Sequence, residues 1–351
     1  MNLKTTKRVC IIGAGLSGLV TAKVLQNDGF DVTIFEKEST IGGVWAPSRT
    51  YAGLCVQNPK RGYAFSDFPY PETSDEFPTA GQAFEYLKSY AKHFGLQNNL
   101  HLNTEVLSVT RPQSEDHVAH PGFLVTIRPV NGSGDEETHV FDYVVICNGV
   151  FSKPFLPKTK GQEGFTGRII HSSQMVNREM LNGKHVVVVG GGKSALDCAS
   201  VAAHEAESTT LVFRSPHWIL PRYFPDGKRV EEVIGTRFSK KFLPAYYRAS
   251  FLEKAIRMAG APILWLWRRM MSRMVSRASG MPPKMVPDRP VTSGGENLGI
   301  GTNFYQVLRE GLAQAKQADI QSFSGTNTLQ LNTGEEITAE AVAHPANATG
   351  L

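Results

Sequence analysis

Cysteine is scarce in this chain of 351 residues: Cys10, Cys55, Cys147 and Cys198 are its four, and no two of them form a CxxC pair. That spacing excludes a dithiol redox centre, and with it a disulfide reductase, and offers no metal-ligand set. Three of the four lie in or beside apolar runs that read as strands or helices, so buried thiols in a reducing, cytoplasmic setting are expected. Long apolar runs are missing as well. No segment approaches the roughly 18 uninterrupted apolar residues of a membrane span. Met1-Asn2-Leu3-Lys4 leads toward a strand rather than into the apolar core of a signal peptide.

What the chain does have is glycine in two ordered places. Gly13-Ala14-Gly15-Leu16-Ser17-Gly18 follows the apolar run Val9-Cys10-Ile11-Ile12, and Gly190-Gly191-Gly192-Lys193-Ser194-Ala195 follows Val186-Val187-Val188-Val189. Around the first, the order strand 8–13, helix 15–28, strand 31–36 supplies the context that the pattern needs. Gly13 permits a tight turn, Gly15 lets backbone approach a pyrophosphate, and Gly18 lets helix and strand pack closely. The helix start at Ala14, Leu16 and Ser17 then turns free N–H groups toward phosphate. Glu36 ends the second strand, where a carboxylate can accept both ribose hydroxyls. A glycine turn followed by a solvated acid is the plainer alternative. Gly42-Gly43-Val44-Trp45 can admit the pyrophosphate of FAD and wall the cofactor with Trp45, or make an ordinary turn.

The second unit reads as strand 185–190, helix 193–205 and strand 209–214. Gly190, Gly192 and Ala195 keep the same geometry, and with Ser194, Leu196 and Asp197 at the helix start they are candidate cofactor contacts. Its strand end differs: Phe213 is followed by Arg214, not by an acid. A guanidinium at that place suits a 2′-phosphate and favours NADPH over NADH, with Lys193 and Arg222 as further phosphate contacts. A solvated arginine is the alternative.

Between and beyond the two units the chain is less regular. Residues 46–75 read as a long functional loop, and a helix is predicted over 79–94. An antiparallel strand–turn–strand insert is expected over 99–110 and 122–129, with Val106 facing the flavin site, and then a buried strand over Val140–Ile146. A last helix is expected over 303–316 and strand-like alternation over 328–342. From Arg214 to Arg289, 16 Lys/Arg face 5 Asp/Glu, a surplus of 11, so the rest of the chain carries −6 against the whole chain's +5. Such a block favours an anionic cofactor or a membrane surface, and no nucleic-acid motif accompanies it. Within it, 252–278 carries Ile263-Leu264-Trp265-Leu266-Trp267 beside Arg268, Arg269, Arg273 and Arg277. That stretch reads as a substrate-channel insert or as a peripheral membrane helix.

These motifs, in this order, resemble the class B flavoprotein monooxygenases, specifically the flavin-containing monooxygenase family. The resemblance rests on Gly13–Gly18, Glu36, Gly42–Trp45, Asn58-Pro59-Lys60 with Phe65-Ser66-Asp67-Phe68-Pro69, and Cys147-Asn148-Gly149. It continues through Phe165-Thr166-Gly167-Arg168-Ile169-Ile170-His171, which is similar to the family's FxGxxxH signature, to Gly190–Ala195. It implies an α/β fold of two Rossmann-type domains: an FAD domain over 1–157, an NADP domain over 158–318 with the basic insert 216–290, and a return to the FAD domain over 319–351. It implies that NADPH reduces FAD, whose C4a-(hydro)peroxyflavin then places one atom of O2 in a small lipophilic metabolite. It also implies that Asn58 hydrogen-bonds the reacting peroxide and NADP+, and that His171 couples the two domains; a loop-capping Asn and a lone satisfied His are the alternatives. No metal is implied, and a homo-oligomer stays open. Met175 stands where the family places an aromatic, which leaves N- or S-oxygenation and Baeyer–Villiger oxygenation unresolved. Ala348-Thr349-Gly350 resembles the family's ATG motif, and a truncated or alternatively spliced chain is expected, with a non-catalytic nucleotide-binding fragment as the alternative.

Overall fold

The computed structural model describes residues 6–112, 122–130, 132, 134–233, 250–251, 258, 260–291 and 298–345. The chain divides into two compact units, Met1–Thr50 with Ala64–Pro154, and Tyr51–Tyr63 with Phe155–Ala346.

In the first unit the chain runs through β1 (Arg8–Ile12), α1 (Leu16–Asn27), β2 (Asp31–Phe35), α2 (Ala80–His93), β3 (Leu100–His101), β4 (Thr104–Thr110), β5 (Phe123–Pro129), β6 (Glu137–Phe141) and β7 (Tyr143–Ile146). Four strands form a parallel sheet in the order β3-β2-β1-β7, and β4-β5-β6 form an antiparallel sheet. Val9, Cys10 and Ile11 of β1 and Val32, Ile34 and Phe35 of β2 are buried, as the central strands of a sheet covered on both faces must be. α1 turns Gly18, Leu19 and Ala22 inward. α2 opens on a capping box between Thr79 and Gln82 and buries Ala83, Tyr86, Leu87, Tyr90 and Ala91, one stripe at helical spacing. The Tyr86 hydroxyl donates to the Phe68 carbonyl at 2.6 Å and accepts from the Phe65 N–H at 2.8 Å, which ties the aromatic loop to the helix.

The buried strand expected over Val140–Ile146 is two strands. The Asp142 carboxylate accepts from Lys7 Nζ at 2.7 Å and the Arg8 N–H at 2.8 Å, and its own N–H donates to the Arg8 carbonyl. There the chain leaves the antiparallel sheet for the parallel one. β7 is an edge strand, and its Tyr143 and Ile146 are exposed.

The second unit contains β8 (Arg168–His171), β9 (His185–Val189), α3 (Lys193–Glu205), β10 (Ser208–Phe213), β11 (Ile219–Leu220), α4 (Ala261–Ala278), β12 (Gly299–Ile300), α5 (Phe304–Arg309), β13 (Gln314–Gln317), β14 (Ile320–Ser324), β15 (Thr328–Leu331), β16 (Glu336–Thr338) and β17 (Ala341–His344). Its parallel sheet has the order β13-β10-β9-β17-β8, beside an antiparallel β14-β15-β16 meander.

Three expectations are corrected here. The helix expected over 303–316 stops at Arg309: Gly311 lies at φ +74, outside helical backbone, and Gln314–Gln317 pairs in parallel with β10. Sheet pairing overrides the helix preference of Gln-Ala-Lys-Gln. The described part of 319–351 does not rejoin the first unit. It builds the meander and then β17, which pairs with β9 on one side and β8 on the other. Residues 51–63, expected within the first domain, also belong to the second unit. The Ala348-Thr349-Gly350 motif, residues 234–249 of the basic insert, and residues 252–257 and 259 lie outside the described residues.

In the β8–β17 pair His171 stands beside His344, and both are buried. Burial first, and then the His171 charge, push the His344 imidazole down to about 4. Between that value and the ordinary 6.5 or so the unfolded chain holds more protons than the folded one, so stability rises with pH across this window. Denaturant unfolding should show stability falling by up to ~3 kcal/mol as pH drops from 6.5 toward 4. In His344→Gln that slope should flatten; an unchanged slope would clear His344 of the effect.

Candidate functional site

The first site grows out of the turn between β1 and α1. Gly13 sits at φ +104, and a Cβ there would meet the Cys147 carbonyl oxygen at 2.5 Å. A Cβ on Gly18 would lie 1.9 Å from the Gly13 carbonyl oxygen, so both positions demand glycine. Gly15 is different: its nearest neighbour would be Gly43 Cα at 3.7 Å, an ordinary contact. Packing within the fold therefore does not demand glycine at 15. The Glu36 carboxylate, at the end of β2, accepts from the Ala14 N–H at 2.7 Å and the Glu38 N–H at 3.0 Å. These bonds hold the acid in place beneath the turn.

A cavity of about 560 Å³ opens there. Gly13, Gly15, Leu16, Ser17, Glu36, Gly43, Val44, Trp45 and Val106 all line it, together with Asn148 and Gly149. Ala14 and Gly18 do not line it: Ala14 is fully buried and Gly18 packs α1 onto the turn, so each acts through backbone and packing. Arg49, not singled out from the sequence, lines the cavity too, with its guanidinium on the Phe151 and Ser152 carbonyls and 3.6 Å from Glu38. Only the fold brings it there, since 102 residues separate it from Phe151.

The second site begins at the turn between β9 and α3. Gly190 lies at φ +137, and a Cβ on Gly191 would meet the Ser215 carbonyl oxygen at 2.6 Å. Gly192 precedes α3 in extended backbone. Arg214 is exposed one residue past β10. Two assignments change. Leu196 is fully buried in the apolar core, as is most of Ala195, so neither side chain faces a ligand. The Lys193 ammonium is held by the Asp197 carboxylate, one helical turn on. Burial pushes the Asp197 carboxyl above the usual range against the pull of Lys193. The Tyr51 hydroxyl donates toward Ser194 Oγ and Asp197 Oδ2, each at 3.2 Å, and burial raises the phenol. Lys193, Ser194 and Asp197 thus belong to an internal polar network. A second cavity, of about 500 Å³, runs along the flank of α3 and is lined by Lys193, Asp197 and Arg222 but not by Gly190, Gly192 or Arg214.

Asn58 is exposed in the loop before the helical turn Lys60–Tyr63 and lines neither cavity. His171 is buried, and its Nδ1 accepts from the Ser173 N–H at 3.2 Å with Ser173 Oγ at 2.9 Å. That acceptor role places the proton of the neutral ring on Nε2. Met175 is buried in the apolar core one turn later.

The profile of the flavin-binding monooxygenase-like family matches residues 6–259. The chain belongs to this family. It is 38% identical over 277 residues to the probable flavin-containing monooxygenase 1 of Arabidopsis thaliana, covering 68% of this chain and 52% of that protein. It is 34% identical over 242 residues to flavin-containing monooxygenase 1 of Homo sapiens, covering 66% and 44%. The chain thus spans about half the length of these relatives. Among solved structures, OTEMO in complex with FAD and NADP superposes with a TM-score of 0.72 at 18% identity, over 97% of this chain and 71% of that one. Oxidised steroid monooxygenase bound to NADP gives 0.71 at 19%, over 98% and 72%. These likenesses show the fold, two Rossmann-type α/β units.

The glycine geometry separates two kinds of requirement. Gly18→Ala should lower stability by at least ~2 kcal/mol, because the new methyl overlaps backbone. Gly15→Ala should leave thermal unfolding close to wild type. Equal losses in the two variants would show that Gly15, too, serves packing alone.

Proposed function

We propose that this chain carries the redox core of an FAD- and NADPH-dependent monooxygenase that places one oxygen atom of O2 into a small lipophilic metabolite. One observation carries the reading: a family member whose first glycine turn ends on an acid, Glu36, and whose second ends on a cation, Arg214. The first fits the adenosine ribose of FAD, with the cavity at Gly15 and Gly43 open to its pyrophosphate. The second fits the 2′-phosphate that distinguishes NADPH. Bound flavin supplies the oxygen chemistry, so the residues bind, orient and exclude water. Asn58 is assigned, by the family resemblance, to hydrogen-bonding the reacting oxygen. His171 acts by position: its Nδ1 is already committed to the Ser173 N–H.

Ester-forming oxygenation of a ketone is the second reading, since Met175 replaces the aromatic that would separate the two chemistries and is packed in the core. Analysis of oxygenated products distinguishes them. The four free cysteines fit a reducing, cytoplasmic compartment.

No helix among the described residues is long and apolar enough to cross a membrane. α4, however, exposes Ile263, Leu266 and Met270 with Arg269, Arg273 and Arg277, and Ala261–Ala278 holds no acidic residue. We propose peripheral contact of this face with an anionic membrane. Leu266→Glu should abolish co-sedimentation with phosphatidylserine vesicles without moving the thermal unfolding midpoint.

The deciding experiment is an absorbance spectrum of the purified chain with FAD, followed by NADPH in air. A flavin band that bleaches and returns is the expected result. Arg214→Ala should then raise the KM for NADPH about tenfold and leave that for NADH nearly unchanged, as loss of a charge-assisted phosphate contact requires. A protein that stays colourless with added FAD would make the chain a fragment without a complete flavin site.

A further inference from the structure

The segment that follows β7 borders the first cavity without belonging to a sheet. The last ladder bond runs from the Cys147 N–H to the Ile12 carbonyl at 2.8 Å. Gly149 then turns at φ +74, where a Cβ would meet nothing within 4 Å. Val150 is 73% exposed and Phe151 49%, so burial does not hold this stretch in place. Gly149, Val150, Phe151 and Ser152 nevertheless all line the cavity. Among the described residues, every hydrogen bond of Asn148–Lys153 comes from one side chain, Arg49. Its Nη2 donates to the Phe151 carbonyl at 2.9 Å and to the Ser152 carbonyl at 2.8 Å.

Arg49 is rooted on the opposite side of the opening. Its side chain is largely buried, and its own N–H donates to the Ala46 carbonyl at 2.8 Å, just past the turn Gly43–Trp45. Gly43 of that turn lies against Gly15. Arg49 Nη1 stands 3.6 Å from the Glu38 carboxylate, and the Glu38 N–H donates to Glu36. The guanidinium therefore joins three segments around one cavity: the residues after β2, the Gly43–Trp45 turn and the strap after β7. Its donors form a rigid planar fork, which suits two successive carbonyls and a carboxylate together.

We propose that Arg49 is a positioning residue that latches the Val150–Lys153 strap along the cavity and so retains the dinucleotide bound there. The retention rests on the flavin assignment; the latch itself does not. Opening the strap requires the two carbonyl bonds to break, and its exposed apolar side chains offer little further resistance. Loss of the latch therefore speeds release of a bound ligand and leaves its capture nearly unchanged.

Chymotrypsin cleavage after Phe151, in the full chain without added cofactor, reads the strap directly. Arg49→Ala should speed it about tenfold, as loss of two charge-assisted bonds requires. Cleavage after Phe35, buried in β2, needs global opening and should stay slow. Arg49→Lys should recover part of the protection. If Arg49→Ala fails to fold, Gly149→Ala keeps the arginine, strains the strap at its positive φ and should also speed cleavage. Stopped-flow FAD fluorescence then reads retention: Arg49→Ala should raise the release rate about tenfold, with association nearly unchanged. Unaltered cleavage after Phe151 in both alanine variants would overturn the latch. Faster cleavage with wild-type FAD release would overturn the retention role. A wild-type chain that binds no FAD, yet shows the Arg49 effect on cleavage, would sink the flavin assignment and leave the latch standing.

Discussion

The first unit depends on backbone meeting backbone at distances no side chain tolerates. Where β1 turns into α1, Gly13 rests against the Cys147 carbonyl, and Gly18 rests against Gly13 itself. That knuckle aims the start of α1 at the cavity, and it brings the Ala14 N–H onto Glu36 at the end of the neighbouring strand. Turn, helix start and acid are then one rigid object. A ligand that bridges phosphate and ribose meets groups whose positions are already determined, which is how preorganisation limits the entropy lost on binding.

In the second unit charge is spent differently. Lys193 follows the glycine turn, where a free ammonium would suit a phosphate, yet Asp197 holds it and Tyr51 joins the pair. A buried ion pair of this kind contributes little net stability once desolvation is counted, and breaking it is costly. Its effect here is to hold the Lys193 ammonium within the unit, while Arg214 stays exposed beyond β10.

Local features were legible. The helix over 79–94 and the glycine spacings of both turns could be read directly, since each depends on residues a few positions apart. The errors share a cause. Gln314–Gln317 favours a helix by itself and becomes a strand because β10 offers an unpaired edge. Val140–Ile146 looks like one apolar run and is divided by Asp142, whose partners lie over 130 residues away. Leu196 belongs to the fingerprint by position and to the core by helix phase.

The order of motifs, the two glycine turns and the contrast between Glu36 and Arg214 are determined by the sequence itself, because steric limits on φ and on Cβ act within a few residues. The tertiary structure decided what those residues face. It seats β17 between β8 and β9, pairs His171 with His344, brings Arg49 to the first cavity and sets Arg222 against Cys55 across 167 positions. Such contacts follow from burial and strand pairing between distant segments, which no local spacing records.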